Sequence, residues 1–437
     1  MWKNIGVLGL GKSGIAVANL AIKLGCSVFA SDNKEKQIKN VNKKAVIELG
    51  SHSDKILNSN VIIKSPGVCP TIPILEEARR RKIEIISELA FSLANSKYKK
   101  LIAVTGTNGK TTTTDLISKI IKSTYKDSIV AGNIGSPLAD KALKTTQNTY
   151  ITVELSSYQL EDTPKFRPDI AVLLNITSDH IEHHKTMKAY IKAKENIFIN
   201  QKHTDYLVVN HDDKVCRQIS AKSKAKIIYF SKKYLKSGVF YDNGKIVIGI
   251  CKKCVKIEPK INMVGSHNIE NILAAVATSY IAGITSTTIE KIVSKYKGVE
   301  HRIEFVKTLG GVDYYNDSKA TNVDSTRAAI QSFDGNILLI MGGRDKGYPY
   351  TALSKLIKQK VKAIFLIGEA SGKIKKNLAN TTAFFDCTTL ENAVNQIFKV
   401  AVKGDIVLFS PACASFDQFN NFEERGMVFK QFVNKLR

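Results

Sequence analysis

The chain has 437 residues, enough for two to four domains, and its apolar fraction of 43% is ordinary for a globular protein. Its formal net charge of +26 reflects 65 Lys and Arg residues against 39 Asp and Glu residues. Nucleic-acid binding would need these cations clustered with stacking aromatics, but they are spread along the whole length. We therefore expect no nucleic-acid partner and attribute the charge to a diffuse lysine bias that suits anionic nucleotides.

Neither disulfides nor membrane segments are expected. Seven cysteines in a chain this long do not make a disulfide framework. The longest apolar runs, such as residues 337–341, have the length of a strand and are far too short to span a membrane. The apolar residues 1–25 are interrupted by Lys12 and fit a strand, turn and helix better than a signal peptide. We expect a cytoplasmic monomer with no membrane partner.

Strand and helix patterns alternate through three sections, residues 1–91, 92–297 and 298–437. This alternation predicts an α/β fold built on parallel sheets. The Lys-rich residues 226–258 alternate like small inserted antiparallel strands. The other predicted strands are residues 5–9, 27–31 and 61–64 in the first section, 101–105, 150–154, 170–175 and 206–210 in the second, and 336–341, 363–367 and 406–409 in the third.

The first glycine-rich motif, GLGKSG at residues 9–14, follows a predicted strand and opens a helix, and Asp32 ends the next strand. This is the form of a dinucleotide-binding turn, with an acidic residue for a ribose. Taken alone, it favours an NAD-dependent oxidoreductase. Any nucleotide with a diphosphate can use the same turn and helix N-terminus, so the motif leaves other nucleotide ligands open.

A second glycine-rich motif, GTNGKTT at residues 106–112, lies between a predicted strand and an amphipathic helix. Its backbone N–H groups would surround ATP phosphates, Lys110 would reach the β and γ oxygens, and Thr111 would hold Mg²⁺. The motif departs from the common phosphate-loop pattern because Val104 occupies the position of the first glycine. A dehydrogenase has no use for this second loop, so ATP binding is the favoured interpretation.

Acidic and imidazole side chains follow the two strands beside this loop. Glu154 ends the strand at 150–154, and the strand at 170–175 leads into Asp179 and His180. Carboxylate and imidazole groups at the ends of neighbouring parallel strands suit Mg²⁺ held against ATP. A capping or loop histidine is the alternative for His180, and we expect His183 and His184 to be solvated.

Lys194 is the most informative residue of a helix predicted over residues 186–200. It falls in the middle of the apolar stripe, three residues from Ile191 and Ile197 and four from Tyr190 and Phe198. Its stem could be buried while its ammonium group reaches water. Alternatively, the neutral amine could react with CO₂ to give an anionic carbamate beside the metal. The sequence favours neither interpretation.

Taken together, seven motifs resemble those of the Mur ligases over essentially the full chain and in the same order. They are GTNGKTT, ELSSYQLE from Glu154, the Asp179–His180 pair, GSHNIENILAA from Gly265, EHRIEF from Glu300, NDSKATN from Asn316 and GGRDKG from Gly342. Within that family, SPACASFDQFNNFEERG from Ser410 resembles the member that adds D-glutamate, and GLGKSG and GNIG from Gly132 agree with it.

The resemblance implies three domains and one reaction. Residues 1–91 would form a Rossmann-like domain for the UDP substrate, residues 92–297 a central ATPase-type domain, and residues 298–437 a Rossmann-like domain for D-glutamate. The implied enzyme is an ATP-dependent ligase that adds D-glutamate to UDP-N-acetylmuramoyl-L-alanine through an acyl phosphate, in peptidoglycan precursor synthesis. Its implied cofactors are ATP and Mg²⁺ at two sites, with a carbamylated lysine.

The resemblance also implies roles for individual residues. Catalysis would fall to Lys110, His180 and Lys194. ATP would be bound by Thr107, Asn108, Gly109, Lys110, Thr111, Thr112, Asn268, Asn271, Arg302, Asp317 and Lys319. The metal ligands would be Thr111, Glu154, His180 and the carbamate of Lys194. D-glutamate would be positioned by Thr321, Lys346, Ser415 and Phe422. The UDP-sugar site would be lined by Ser13, Asp32, Gly67, Asn133, Ser156 and Gln159.

Overall fold

Three β-sheets flanked by helices make up the protein, and the three-domain α/β class is confirmed. The computed structural model describes residues 2–35, 38–132, 135–163, 165–177, 181–250 and 253–437. The backbone separates into two units, residues 1–260 with 269–294, and residues 261–268 with 295–437. The domain boundaries drawn from the sequence stay predictions. Among the described residues, no helix has the combined length and apolar character to cross a bilayer.

The first sheet has five parallel strands in the order β3-β2-β1-β4-β5. The turn after β1 is tight, because a Cβ atom added to Gly14 would lie 1.9 Å from the carbonyl oxygen of Gly9. The elements are β1 Asn4–Leu8, α1 Lys12–Lys23, β2 Ser27–Asp32, β3 Val46–Leu49, β4 Val61–Lys64, α2 Pro73–Arg80, β5 Glu84–Ser87 and α3 Glu88–Ala94.

The second sheet has nine strands in the order β14-β13-β12-β11-β10-β9-β6-β8-β7. Its elements are β6 Lys100–Thr105, α4 Lys110–Thr124, β7 Ser128–Gly132, β8 Tyr150–Glu154, α5 Ser157–Glu161, β9 Ile170–Leu173, α6 Ile181–His184, α7 Met187–Glu195, β10 Tyr206–Asn210, α8 Lys214–Ser220, β11 Lys226–Ser231, β12 Gly238–Asp242, β13 Lys245–Ile250, β14 Lys253–Ile257, α9 Ser266–Ile281 and α10 Ser286–Lys295.

The expectation that residues 226–258 form only antiparallel strands was wrong for β11. This strand pairs in parallel with β10, because helix α8 provides the crossover that a parallel connection requires. Strands β12, β13 and β14 are antiparallel to one another, as expected, but β12 pairs in parallel with β11. Helix α7 is also shorter than the predicted helix over 186–200, because the chain turns after Glu195.

The third sheet has six strands in the order β15-β16-β20-β17-β18-β19, and β15 is antiparallel to β16 while the other pairs are parallel. Its elements are β15 Glu304–Leu309, β16 Val312–Asn316, α11 Val323–Gln331, β17 Ile337–Gly342, α12 Ser354–Lys360, β18 Val361–Ile367, α13 Ser371–Asn377, β19 Ala383–Thr388, α14 Leu390–Val400, β20 Ile406–Phe409 and α15 Phe422–Lys435.

Parallel register brings the ends of neighbouring strands together at two sheet edges. In the second sheet, Thr105 of β6 pairs with Leu173 of β9. The preceding residue of β6, Val104, pairs with Glu154, the last residue of β8. In the third sheet, Asn316 of β16 pairs with Phe409 of β20. Ligands bind at the carboxyl ends of strands in such sheets, so the loops at these two edges are the first places to look for a site.

Candidate active site

The loop over residues 106–109 joins β6 to α4 at the edge of the second sheet. Gly109 has φ +83°, and a Cβ atom at this position would lie 2.1 Å from Oδ1 of Asn271. Only glycine fits here, because a side chain would meet both backbone strain and a direct clash. Helix α4 then begins at Lys110, so its first backbone N–H groups lie beside the loop, as anion binding requires.

Asn175, which the sequence interpretation did not select, fixes the shape of this loop. Its backbone oxygen accepts from the N–H of Thr107 at 2.8 Å, and its Oδ1 accepts from the N–H of Asn108 at 2.7 Å. Its Nδ2 donates back to the carbonyl oxygen of Asn108 at 3.1 Å. The sequence did contain a signal for this residue. Asn175 is a polar amide two residues after β9, the strand that pairs with β6.

Lys110 lies over the loop that carries it. Its Nζ donates to the carbonyl oxygens of Gly106 at 2.9 Å and Thr107 at 2.6 Å. The hydroxyl-bearing Thr111 and Thr112 follow in the first turn of α4 and are both buried. An ammonium group held against a loop of backbone donors provides positive charge where phosphate oxygens would bind.

Lys194 is buried behind the same loop, with 1% of its surface exposed. Its Nζ donates to the carbonyl oxygen of Gly106 at 2.8 Å and lies 4.7 Å from the centre of the Tyr190 ring. The hydroxyl group of Tyr190 is in turn 3.0 Å from Oγ1 of Thr107. The alternative with a wet ammonium group is therefore wrong, because α7 packs this stripe against the loop. Carbamylation stays a prediction.

Glu154 ends β8 at the edge where β6 also ends, and its side chain is 1% exposed. Gly132 faces it from β7 with φ +94°, and a Cβ atom there would lie 2.2 Å from the carbonyl oxygen of Glu154. Its buried carboxylate and the hydroxyl group of Thr111 are the hard oxygen donors that Mg²⁺ prefers. Three predicted residues, Asn133, Asp179 and His180, lie outside the described residues.

The expectation that both His183 and His184 are solvated was wrong, because His184 is buried and His183 is half-buried. Glu161 holds both, with Oε2 3.0 Å from Nε2 of His183 and Oε1 2.9 Å from Nδ1 of His184. His184 is buried, and its Nε2 also lies 2.9 Å from Oγ of Ser157. The carboxylate of Glu161 on α5 lies between the two imidazoles of α6, so this cluster joins the two short helices.

The candidate UDP-sugar residues lie around two loops. Oδ2 of Asp32 accepts from the N–H of Leu10 at 2.8 Å, so the aspartate orders the turn that leads to Ser13. Ser156 and Gln159 form a reciprocal capping box at the start of α5. Gly67 lies in the exposed loop that follows β4.

Glu88 connects Ser13, of the first glycine-rich motif, with Gln159 of the capping box. The sequence interpretation did not include this residue. Its carboxyl group interacts with the side chains of Gln159 and Ser13, and burial raises its pKa to about 7. Desolvation outweighs the two hydrogen bonds, which act in the opposite direction. Nearby, the buried Lys64 forms an ion pair of 2.9 Å with Asp162. These contacts connect the first sheet to α5.

In the unit formed by residues 261–268 and 295–437, Asp317 follows β16 and is buried. Its Oδ2 accepts from Oγ of Ser410 at 2.7 Å, and its Oδ1 accepts from the N–H of Ile303 at 3.2 Å. Burial raises its pKa to about 7, while Ser410 and the charge of Arg302 act to lower it. The carboxyl group is therefore largely protonated below neutral pH.

The remaining candidates of this unit are spread over several loops. Nζ of Lys319 lies 6.0 Å from the centre of the Phe422 ring. Ser415 is buried, Thr321 is half-buried and Lys346 is exposed. Arg344, which precedes Lys346 in the same loop, makes an exposed ion pair with Glu369 at 3.2 Å.

Two predicted nucleotide residues lie on α9. Nδ2 of Asn268 donates to the carbonyl oxygen of Val264 at 2.6 Å. Oδ1 of Asn271 accepts from Oγ1 of Thr113 at 3.3 Å and borders Gly109. The structure therefore brings Asn271 to the phosphate loop, and the assignment of both residues to ATP stays a prediction.

Three family models match the chain. The Mur ligase MurD-like N-terminal domain matches residues 3–87, the Mur ligase middle domain residues 104–279, and the Mur ligase glutamate ligase domain residues 301–413. Together they cover the greater part of the chain, one for each sheet.

Curated relatives align over nearly the full length. A UDP-N-acetylmuramoylalanine–D-glutamate ligase of Koribacter versatilis is 43% identical over 99% of this chain and 98% of its own. The protein of the same name from Elusimicrobium minutum is 44% identical over 98% and 97%.

Solved structures share the fold at lower identity. The UDP-N-acetylmuramate–alanine ligase of Thermotoga maritima has a TM-score of 0.59 at 19% identity, over 99% of both chains. A MurF ligase of the same organism, in complex with ADP, has a TM-score of 0.60 at 18% identity and covers 99% of this chain and 95% of its own.

Proposed function

Because this chain belongs to the Mur ligase family, we propose that it joins D-glutamate to UDP-N-acetylmuramoyl-L-alanine at the expense of ATP, in peptidoglycan precursor synthesis. Relatives that carry the name of this activity align with it from end to end. The supply of ATP and of the nucleotide sugar favours the cytoplasm, and we take the working form to be a monomer.

One observation carries the ATP-dependent part of this proposal. The amines of Lys110 and Lys194 both donate to the carbonyl oxygen of Gly106, at 2.9 and 2.8 Å. If Lys194 carries its proton, two positive charges lie close together at this carbonyl oxygen, and one of them is buried. A carbamate on Lys194 would replace this repulsion with attraction and leave Lys110 to face the phosphates. This arrangement favours the carbamylated form in the working enzyme.

The first half-reaction makes a poor electrophile reactive. An oxygen of the L-alanyl carboxylate attacks the γ-phosphorus of ATP, the bond to the β–γ bridging oxygen breaks, and an acyl phosphate and ADP form. Lys110 and the backbone N–H groups at the start of α4 stabilise the charge that moves to the bridging oxygen. Asn175 keeps the loop in the shape that presents these donors.

The second half-reaction forms the amide. The neutral amine of D-glutamate attacks the acyl carbon, and phosphate leaves with one oxygen of the original carboxylate. The amine must first lose a proton, and a nearby carboxylate is the candidate acceptor when the imidazole of His180 binds the metal. We assign Ser415, Phe422, Thr321 and Lys346 to D-glutamate on the motif resemblance.

The donor set also fits magnesium. Thr111 and Glu154 offer a hydroxyl group and a buried carboxylate beside the phosphate loop, and we propose that His180 and carbamylated Lys194 complete a second position. Bound Mg²⁺ would neutralise phosphate charge at this edge of the sheet. Of this set, the structure describes Thr111, Glu154 and the amine of Lys194.

Phosphate release tests the proposal directly. Purified protein should release phosphate from ATP only when both UDP-N-acetylmuramoyl-L-alanine and D-glutamate are present. Substitution Lys110→Ala should abolish this release but leave the binding of the UDP-sugar unchanged, because the lysine serves ATP. Lys122→Ala is the matched control, since Lys122 is exposed on the same helix.

Two other outcomes would redirect the assignment. Binding of NAD(H) with an absorbance change would favour the oxidoreductase that the motif at residues 9–14 suggests on its own. ATP binding without amino-acid-dependent turnover would favour a nucleotide-binding regulator. Loss of both phosphate release and UDP-sugar binding in Lys110→Ala would contradict the role given to this lysine.

A further inference from the structure

Arg425 is a fully buried arginine in the first turn of α15, with 1% of its surface exposed. It lies on the apolar stripe of the helix, four residues before the buried Phe429 and eight before the buried Val433. A charged side chain at such a position is costly unless every donor finds an acceptor. Its surroundings must therefore explain why the helix carries it.

The guanidinium group makes five hydrogen bonds. Nε donates to Oγ of Ser318 at 3.0 Å, and Nη2 donates to the carbonyl oxygens of Ser318 at 2.8 Å and Cys413 at 3.2 Å. Nη1 donates to the carbonyl oxygens of Cys413 at 3.2 Å and Ala414 at 3.1 Å. The four acceptor atoms are all neutral oxygens, and that of Cys413 accepts twice, so the donors are satisfied but no acceptor neutralises the positive charge.

These acceptors belong to the segments that carry the proposed D-glutamate residues. Ala414 directly precedes Ser415, and its carbonyl oxygen also accepts from the backbone N–H of Arg344, in the loop of Lys346, at 2.9 Å. Oγ of Ser318 donates to the carbonyl oxygen of Phe422 at 2.8 Å. One buried cation therefore holds two loops directly and a third through the carbonyl group of Ala414.

The charge persists at neutral pH. Burial lowers the pKa of Arg425 only to about 10. Cys413, Asp417 and Asp317 act through space to raise this pKa, and Asp317 is itself largely protonated below neutral pH. Lys346 is exposed, so water screens its charge far more than that of Arg425.

We propose that Arg425 determines the specificity of the ligase for an acidic amino acid. Its positive charge, which no hydrogen-bonded carboxylate neutralises, favours a substrate that brings a second carboxylate to the loops of Ser415 and Lys346, and its hydrogen bonds fix the shape of those loops. The proposal rests on the proposed function. Arg425 acts through these loops and through its field, so it is a positioning and specificity residue.

The experiment compares two substrates that differ in one charge. Values of kcat/KM are measured for D-glutamate and for D-glutamine, which has nearly the same shape but a neutral side chain. In Arg425→Gln, the preference for D-glutamate should fall about tenfold or more, as the loss of a poorly screened charge predicts. Arg425→Lys keeps the charge and should keep most of the preference, although KM rises for both substrates as the loops loosen.

The matched control is Arg327→Gln, which removes a partly exposed arginine from α11 of the same unit and should leave the preference unchanged. A purely structural role would lower activity toward both substrates equally. A folded Arg425→Gln with the wild-type preference would therefore overturn the proposal. If that variant does not fold, Arg425→Lys decides, because loss of the preference while the charge is retained would contradict it. Wild-type protein without phosphate release dependent on D-glutamate would contradict the proposed function instead.

Discussion

Lys194 and Arg425 occupy equivalent positions in two different parts of the molecule. Each interrupts the apolar stripe of a helix, α7 in one unit and α15 in the other, and each is 1% exposed. Each donates to backbone carbonyl oxygens of a loop at the carboxyl edge of a parallel sheet, Gly106 in one case and Cys413 and Ala414 in the other. The two loops are the proposed sites of ATP and of D-glutamate.

The difference lies in the chemistry of the two side chains. A guanidinium group keeps its proton at neutral pH even when buried, so Arg425 can serve only as a fixed charge and a scaffold. A buried amine loses its charge readily and can then react as a nucleophile. In this protein a cation on an apolar stripe lies beside each proposed substrate loop, and only the lysine can take part in chemistry.

The largest effect is expected at Lys194. Substitution Lys194→Met keeps the apolar stem but removes the amine, and should lower the rate of phosphate release about a thousandfold or more, because the charge arrangement at the phosphate loop is lost. Removal of CO₂ from the buffer should slow the wild-type enzyme, and bicarbonate should restore it. Phosphate release and the mass of the intact protein are the measurements.

The control for this substitution is Lys192→Met, an exposed lysine two residues earlier on the same helix, which should keep full activity. The contradicting result is a wild-type protein that shows neither the added mass of a carbamate nor any response to CO₂. In that case Lys194 would not differ from Arg425 in taking part in the chemistry. Lys194 would then resemble Arg425, as a positioning residue only.

A smaller effect is expected at Asn175, which holds the phosphate loop in place much as Arg425 holds the loops that accept its hydrogen bonds. Asn175→Ala removes two hydrogen bonds to Asn108 but keeps the backbone bond to Thr107. The loop should become less ordered, and KM for ATP should rise about tenfold. Initial rates at varied ATP concentration test this, and an unchanged KM would show that the backbone alone fixes the loop.

Much of this arrangement was predictable because it rests on local patterns. The strands at 61–64, 150–154, 206–210 and 406–409 match their predicted bounds, since each is an apolar run with clear breakers. Helical spacing placed Lys194 on the apolar stripe but left open whether its ammonium group is buried or reaches water. Arg425 carries the same signal, but its partners Ser318 and Cys413 are distant in sequence, so only the fold reveals them.

Other errors have a similar cause. His184 is buried because Glu161 and Ser157, from a different helix, surround it. Strand β11 is parallel because α8 crosses over before it, which the Lys-rich alternation did not indicate. In both cases the deciding contact is made by a residue or element that the local pattern does not contain.

The smallest effect concerns Glu88, a buried acid that contrasts with the two buried cations. Its pKa is raised from 4.5 to about 7 by burial, so the unfolded chain releases this proton at lower pH than the folded protein does. The stability contribution of the neutral form is complete below pH 4.5 and is lost as the pH rises toward 7.

Substitution Glu88→Gln removes this titration without changing the shape. The variant should match the wild type in thermal stability near pH 4.5 and exceed it at pH 8, by up to about 3 kcal/mol. Thermal melts of both proteins at the two pH values test this. Subtracting the stability of the wild type from that of the variant at each pH cancels the titration of all other groups. Equal stability of the two proteins at both pH values would show that the pKa of Glu88 is not raised in the folded state.

An acyl phosphate requires that an oxygen atom pass from the substrate carboxylate to the released phosphate. UDP-N-acetylmuramoyl-L-alanine labelled with oxygen-18 in its carboxylate is incubated with the enzyme, ATP and D-glutamate, and the released phosphate is examined by mass spectrometry. If the carboxylate attacks the γ-phosphorus, one labelled oxygen appears in the phosphate for each amide bond formed. Amide formation with unlabelled phosphate would contradict the acyl phosphate and the role given to the loop of Lys110.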